Sequence, residues 1–136
     1  MKRILCTILS VLFVFLLTGC GKTTDTQIDV GESELFTQDD RSAAVDLIVQ
    51  RIDDSDAIKK LYSVRYAGDE ESKAETEGYR DTPLAHDEII VFKIAFRSAD
   101  SAHSGGFNPN EIYTDFSYML GRNAGGAWEF VTAGYA

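Results

Sequence analysis

Few side chains in this 136-residue sequence can do chemistry. Thiols come only from Cys6 and Cys20, and imidazole only from His86 and His103. The run His86-Asp87-Glu88 has the residue types of a metal or acid–base group, but polar surface residues ahead of a strand are the preferred reading. Asp115 with Glu129 or His86 is the remaining combination from which an enzyme would draw an acid and a base. A richer stretch runs from Asp100 to Glu111. There Asp100, Asn108, Asn110 and Glu111 offer the oxygen atoms that hard cations prefer, although their spacing is not that of a calcium loop. Asp100, His103, Asn108 and Asn110 are instead the candidate contacts of a binding loop. The nucleophile elbow, the paired-histidine zinc motif, the phosphate-cradling glycine loop and the dinucleotide fingerprint are all missing. No catalytic, cofactor-binding or metal-ligating residue is therefore assigned.

Cys20 has a specific context. Lys2 and Arg3 open the chain, Ile4 to Leu17 are apolar except Thr7 and Ser10, and Leu17-Thr18-Gly19-Cys20 follows at once. A charged start, a short apolar run and small residues at a cut site make a secretory signal, and roughly 14 apolar residues are too few to span a bilayer. Leu-Thr-Gly-Cys resembles the lipobox of bacterial lipoproteins. The resemblance implies diacylglycerol joined to the Cys20 sulfur by a thioether and cleavage between Gly19 and Cys20. Residues 1–19 are then a signal peptide, and the membrane is the first expected partner, at the outer face of the cytoplasmic membrane. Cleavage discards Cys6 and lipid consumes Cys20, so the remaining domain has neither disulfide nor free thiol. Losing Lys2 and Arg3 moves the net charge from −9 to −11, which argues against nucleic acid as a partner.

The residues beyond Cys20 are arranged by elements of two periods. Residues 20–35 are polar and rich in Thr and Asp, which suggests a lipidated cysteine on a flexible tether. Residues 36–136 form the expected single domain. Thr37 and Asp40 have the spacing of a helix cap, and Ala44, Val45, Ile48 and Ile52 form a helical stripe, so a helix is expected over 38–53. Period-two alternation marks a strand near 59–66. The charged run 68–83 reads as an exposed loop. Ile90, Phe92, Ile94 and Phe96 mark one face of a second strand, and Ile112, Phe116, Tyr118 and Leu120 mark a third. Asn123-Ala124-Gly125-Gly126 is a tight reversal, and Trp128 and Phe130 alternate along a final strand. The expected fold is α+β, with one N-terminal amphipathic helix on a curved antiparallel sheet of about four strands. Aromatics at strand spacing there are core first and pocket second.

Phe107-Asn108-Pro109-Asn110, Tyr113-Thr114-Asp115-Phe116, Leu120-Gly121-Arg122, Gly126-Ala127-Trp128 and Gly134-Tyr135 resemble an uncharacterised lipoprotein family of Gram-positive bacteria. The resemblance covers the last third of the chain well and the rest loosely. It implies a small cone-like domain of the nuclear-transport-factor-like or cystatin-like type, and no activity. The expected function is non-enzymatic: binding an envelope protein or small ligand through the sheet face and the loop from Ser98 to Asn110. An envelope enzyme using pocket carboxylates and a toxin-neutralising surface protein are the alternatives. No cofactor is expected beyond the covalent lipid.

Overall fold

A computed structural model describes residues 21–101, 103 and 105–135. The expected signal peptide, residues 1–19, and Cys20 lie outside the described residues. Among the described residues two helices pack on one open five-stranded mixed sheet, an α+β arrangement. The order is β1 (Gln27–Asp29), α1 (Gln38–Asp53), β2 (Ile58–Tyr66), α2 (Asp69–Gly78), β3 (Glu88–Ser98), β4 (Ile112–Arg122) and β5 (Glu129–Gly134). The strands lie side by side in chain order. β2 to β5 are antiparallel, whereas β1 joins β2 in parallel.

Helix α1 forms where its cap and stripe place it. The Thr37 hydroxyl accepts from Asp40 N at 3.1 Å and the Asp40 carboxylate accepts from Thr37 N at 3.0 Å, closing a reciprocal cap. Ala44, Val45, Ile48 and Ile52 are buried against Val64, Phe92, Ile94, Phe96 and Leu120 of the sheet. Truncating a side chain such as Ile48 to alanine costs roughly 2–5 kcal/mol at such a site. The face beneath α1 is filled, with Phe92 and Phe96 fully buried.

The domain starts earlier than Phe36. Leu61 N donates to Lys22 O at 2.8 Å, the Thr26 hydroxyl donates to Leu61 O at 2.9 Å, and Ile28 pairs with Val64. Buried Arg41 donates to Val30 O at 2.8 Å, to Gly31 O at 3.2 Å and to Phe36 O, fastening the connection between β1 and α1. Most of the expected tether is thus part of the body. The sheet gains a fifth strand because backbone pairing, and not side-chain pattern, recruits these residues.

The run 68–83 holds helix α2 where a loop is expected. Beyond Tyr66, β2 no longer covers β3, and α2 takes over that edge. The Ser72 hydroxyl accepts from Val91 N at 3.1 Å and Thr76 Oγ1 accepts from Ile89 N at 2.9 Å. These residues are four apart, so both hydroxyls point from one side of the helix. A smaller apolar cluster of Ile89, Val91, Met119 and Val131, flanked by Ala67 and Tyr79, lies on this second sheet face.

One phase expectation is also corrected. Ile94 pairs with Phe116 but Phe96 pairs with Tyr113, so the register shifts across Thr114 and Asp115. Asp115 has φ 52°, the left-handed conformation that Asp tolerates better than most residues. The extra residue turns Tyr113 onto the core and leaves Ile112 half exposed. The expected reversal at 123–126 forms, with Gly126 N donating to Asn123 O at 2.8 Å and Gly125 at φ 73°.

Candidate functional site

Because α1 fills one face of the sheet and α2 covers only part of the other, the second face stays open around the middle of β2 and β3. Ser63 and Ala95 stand opposite each other there, and their small side chains leave a depression. Gln27 and Asp29 border it from β1, Arg65 from β2, Lys93 from β3, and Thr114 with Asp115 from β4. The groove measures about 390 Å³. The Arg65 guanidinium reaches across β3 to Asp115 at 3.4 Å, a pair exposed enough to contribute only about 0–1 kcal/mol. Lys93 is better fixed, with its ammonium 2.6 Å from the Ser117 hydroxyl and 2.8 Å from Glu71 of α2. The result is an open polar surface with both signs of charge and hydrogen-bonding groups along each wall.

The loop singled out from the sequence is organised by its base. Ser98 Oγ accepts from Glu111 N at 2.9 Å and donates to Asn108 O at 2.5 Å. Asn110 N donates to Ala99 O at 2.9 Å, and Arg97 donates to Asn110 O at 2.8 Å. Asn108 N donates to the Tyr113 hydroxyl at 2.9 Å. Asn108 and Asn110 thus serve the loop through their main chains, with Asn110 at φ 54°. Phe107 is no loop ornament, since its ring stands 5.1 Å from Phe96 and 5.0 Å from Tyr113. Asp100 and His103 do come together, 3.6 Å apart, beside a cleft of about 350 Å³ that also involves Lys22, Asp56 and Lys59. The four candidate residues therefore do not converge on one point.

The acid–base candidates separate. Gly121 registers with Glu129, and Asp115 lies six residues back along β4, or roughly 20 Å at strand rise. Asp115 and Glu129 cannot share a reacting atom. His86 does meet Glu129, Nε2 to Oε1 at 2.6 Å, while its Nδ1 lies 2.8 Å from Leu84 O. Partial burial works against the charged ring, but Glu129 and the Leu84 carbonyl outweigh it and raise the His86 pKa above its usual value. The ring is wedged against Gly121, where even a Cβ would lie 2.5 Å from it. Both ring nitrogens are occupied and neither groove touches the pair, so His86 pins the chain ahead of β3 to the sheet. Among the described residues no group of three or more His, Cys, Asp or Glu side chains could hold a metal ion.

Among the described residues Arg122 is the cation bound by two carboxylates. It grips Asp40 at 2.8 and 3.2 Å and Glu88 at 2.7 Å, and its guanidinium lies 4.3 Å from the centre of the Trp128 ring. Trp128 in turn donates to Asp40 O at 2.9 Å. The Arg122 hydrogen bond, reinforced by the cap at Thr37, holds the Asp40 pKa down at about 2. This cluster joins the start of α1 to β3, to β4 and to Trp128 just ahead of β5. Sequence reasoning missed it, as it missed Arg65 and Lys93, because each partner is tens of residues distant. Against protein-family models, curated proteins and solved structures, the chain gives no significant match.

Proposed function

We propose that this chain is a lipoprotein of the outer face of the cytoplasmic membrane, whose domain binds a polar protein partner of the cell envelope. The groove on the second sheet face is the observation that carries the binding reading. Among the described residues the face beneath α1 is packed with buried side chains such as Ile48, Phe92 and Phe96, and the open half-face offers charges of both signs at strand spacing. Protein partners are recognised at such surfaces by charge pairing and hydrogen bonds around a central contact. The anchor reading is supported by Leu17-Thr18-Gly19-Cys20 after a charged and apolar start. As a finer reading, we group the domain with the uncharacterised Gram-positive lipoproteins it resembles, and its fold with the cone-like α+β domains.

A photo-crosslinking residue in place of Thr114, used on intact bacterial cells, tests the binding reading. One reproducible protein adduct that disappears when Arg65→Glu is added supports it. Adducts indifferent to Arg65→Glu, or none, refute it. A small polar ligand is the second reading, favoured by a volume within the range of ligand sites, roughly 300–1,000 Å³. For the anchor, Cys20→Ser should leave the protein unprocessed or released from membranes. Retention of a processed, membrane-bound species would defeat it.

A further inference from the structure

The residues next to the proposed lipid site are built into the domain. Lys22 accepts through its carbonyl from Leu61 N at 2.8 Å, and its ammonium donates to Asp53 O at 3.3 Å and to Ser55 O. The Thr23 hydroxyl lies 3.3 Å from the Asp53 carboxylate. Only Gly21 separates this docked residue from Cys20. Two residues of extended chain span at most roughly 7 Å. A free tether of sixteen residues would wander over about 20–24 Å root-mean-square and reach much further when stretched.

From this short link we infer that the domain sits directly on the phospholipid headgroup layer, on one defined pole. The inference rests on the reading of Cys20 as the lipidated residue. Lys22 lies at the end of the molecule where α1 finishes, β2 starts, β3 hands over to the loop at 98–110, and β4 starts. Ala99 N donates to Ala57 O at 2.9 Å, which folds that loop over the same pole. Ile112 and Tyr135 protrude on that side, 51% and 61% exposed, and the Tyr135 ring stands 6.5 Å from that of Tyr113 near the start of β4. An exposed aliphatic side chain and a tyrosine suit the boundary between headgroups and water.

Charge does not set this orientation. Lys22, Lys59, Lys60 and Arg97 at the pole are matched by Asp53, Asp54, Asp56 and Asp100, so attraction to anionic lipid is weak and the covalent link fixes the seating. Asp100 and His103 then face headgroups, not the open envelope. Arg122, His86 and the reversal at 123–126 lie at the far pole, roughly 33 Å away along the eleven residues of β4.

Two single-cysteine variants of the full lipoprotein test the seating, Ser101→Cys at the near pole and Ala127→Cys at the far one. Both side chains are exposed, and a thioether at Cys20 does not compete for the label. Each protein is labelled with an environment-sensitive fluorophore and reconstituted into phosphatidylethanolamine–phosphatidylglycerol vesicles containing a headgroup spin-labelled lipid. Quenching at position 101 should exceed that at 127 several-fold, and a Gly-Ser linker inserted between Gly21 and Lys22 should erase the difference. Equal quenching at both positions without the linker, or more at 127, overturns the seating. The intact mass of the same preparations checks the anchor separately. If diacylglycerol is absent from Cys20, the anchor reading fails and the seating falls with it; if lipid is present but quenching is equal, only the seating fails.

Discussion

Replacing Ser72 with alanine should destabilise the domain by more than a surface substitution can. The Ser72 side chain is 1% exposed, and its hydroxyl is the acceptor for Val91 N on the edge of β3 that β2 leaves uncovered. Alanine keeps the helix, which it favours, but leaves a buried donor unpaired where water has little access. The cost of such a donor is about 1–3 kcal/mol. For a domain of this size each kcal/mol lowers the melting temperature by roughly 4–8 °C, so Tm should drop by about 5–20 °C. Circular dichroism melts read the drop, and amide exchange locates it. Val91 should lose more protection than Ile94, which lies where β2 and β4 both flank β3. Ser101→Ala, on an exposed turn, is the matched control. A Ser72→Ala protein that melts with wild type and keeps Val91 protected would refute the claim that a side-chain hydroxyl completes this edge.

Thr76→Val preserves shape while removing the acceptor for Ile89 N, and should lower stability by about 0.5–2 kcal/mol in urea titration. The folded-state pKa of Asp40 lies near 2, below its ordinary value of 3.8, so its contribution is present above pH 4 and fades as pH falls from about 4 to 2. Arg122→Gln should flatten that acid limb in stability curves taken against pH, and an unchanged limb would show that Asp40 is not the group responsible. For His86 the sign is opposite. Its raised pKa makes the stabilisation complete below its ordinary value of 6.5 and lost as pH climbs through the folded value. Glu129→Gln should bring the His86 titration, followed by NMR, down toward that ordinary value. Gly121→Ala should displace the His86 ring and cost roughly 1–3 kcal/mol by overpacking, measurable as a lower Tm with the His86 resonances shifted.

What was legible in the sequence was whatever buries an apolar side on a regular period. The stripe Ala44, Val45, Ile48 and Ile52 with its Thr37 cap located α1 to the residue, and the apolar run from Ile89 to Phe96 located β3. Helix α2 escaped because it has no such stripe. Its docking side is Ser72 and Thr76 amid Asp, Glu and Lys, and hydroxyls bonded to a strand edge leave no hydrophobic period. β1 escaped because only Ile28 of its three residues is apolar and its partner lies beyond an intervening helix. The spacing of Ile112 and Phe116 looked in phase, but the left-handed Asp115 between them reverses the alternation. The candidate site was the least legible. Arg65 and Asp115 are fifty residues apart, and the depression between them exists because Ser63 and Ala95 are small and adjacent only once the sheet has formed.

The handover from β2 to α2 also bears on how this protein would aggregate. Ile89-Ile90-Val91-Phe92-Lys93-Ile94-Ala95-Phe96 is rich in β-formers, has a single charge and lacks proline, the composition of a segment that stacks into fibrils. Half of that segment is shielded on one edge by a ten-residue helix held through two hydroxyls. Transient undocking of α2 would expose an apolar template with unsatisfied N–H groups while the rest of the sheet stayed native. At high local concentration of the protein, the lag before fibril growth would then be governed by this local opening and not by global unfolding.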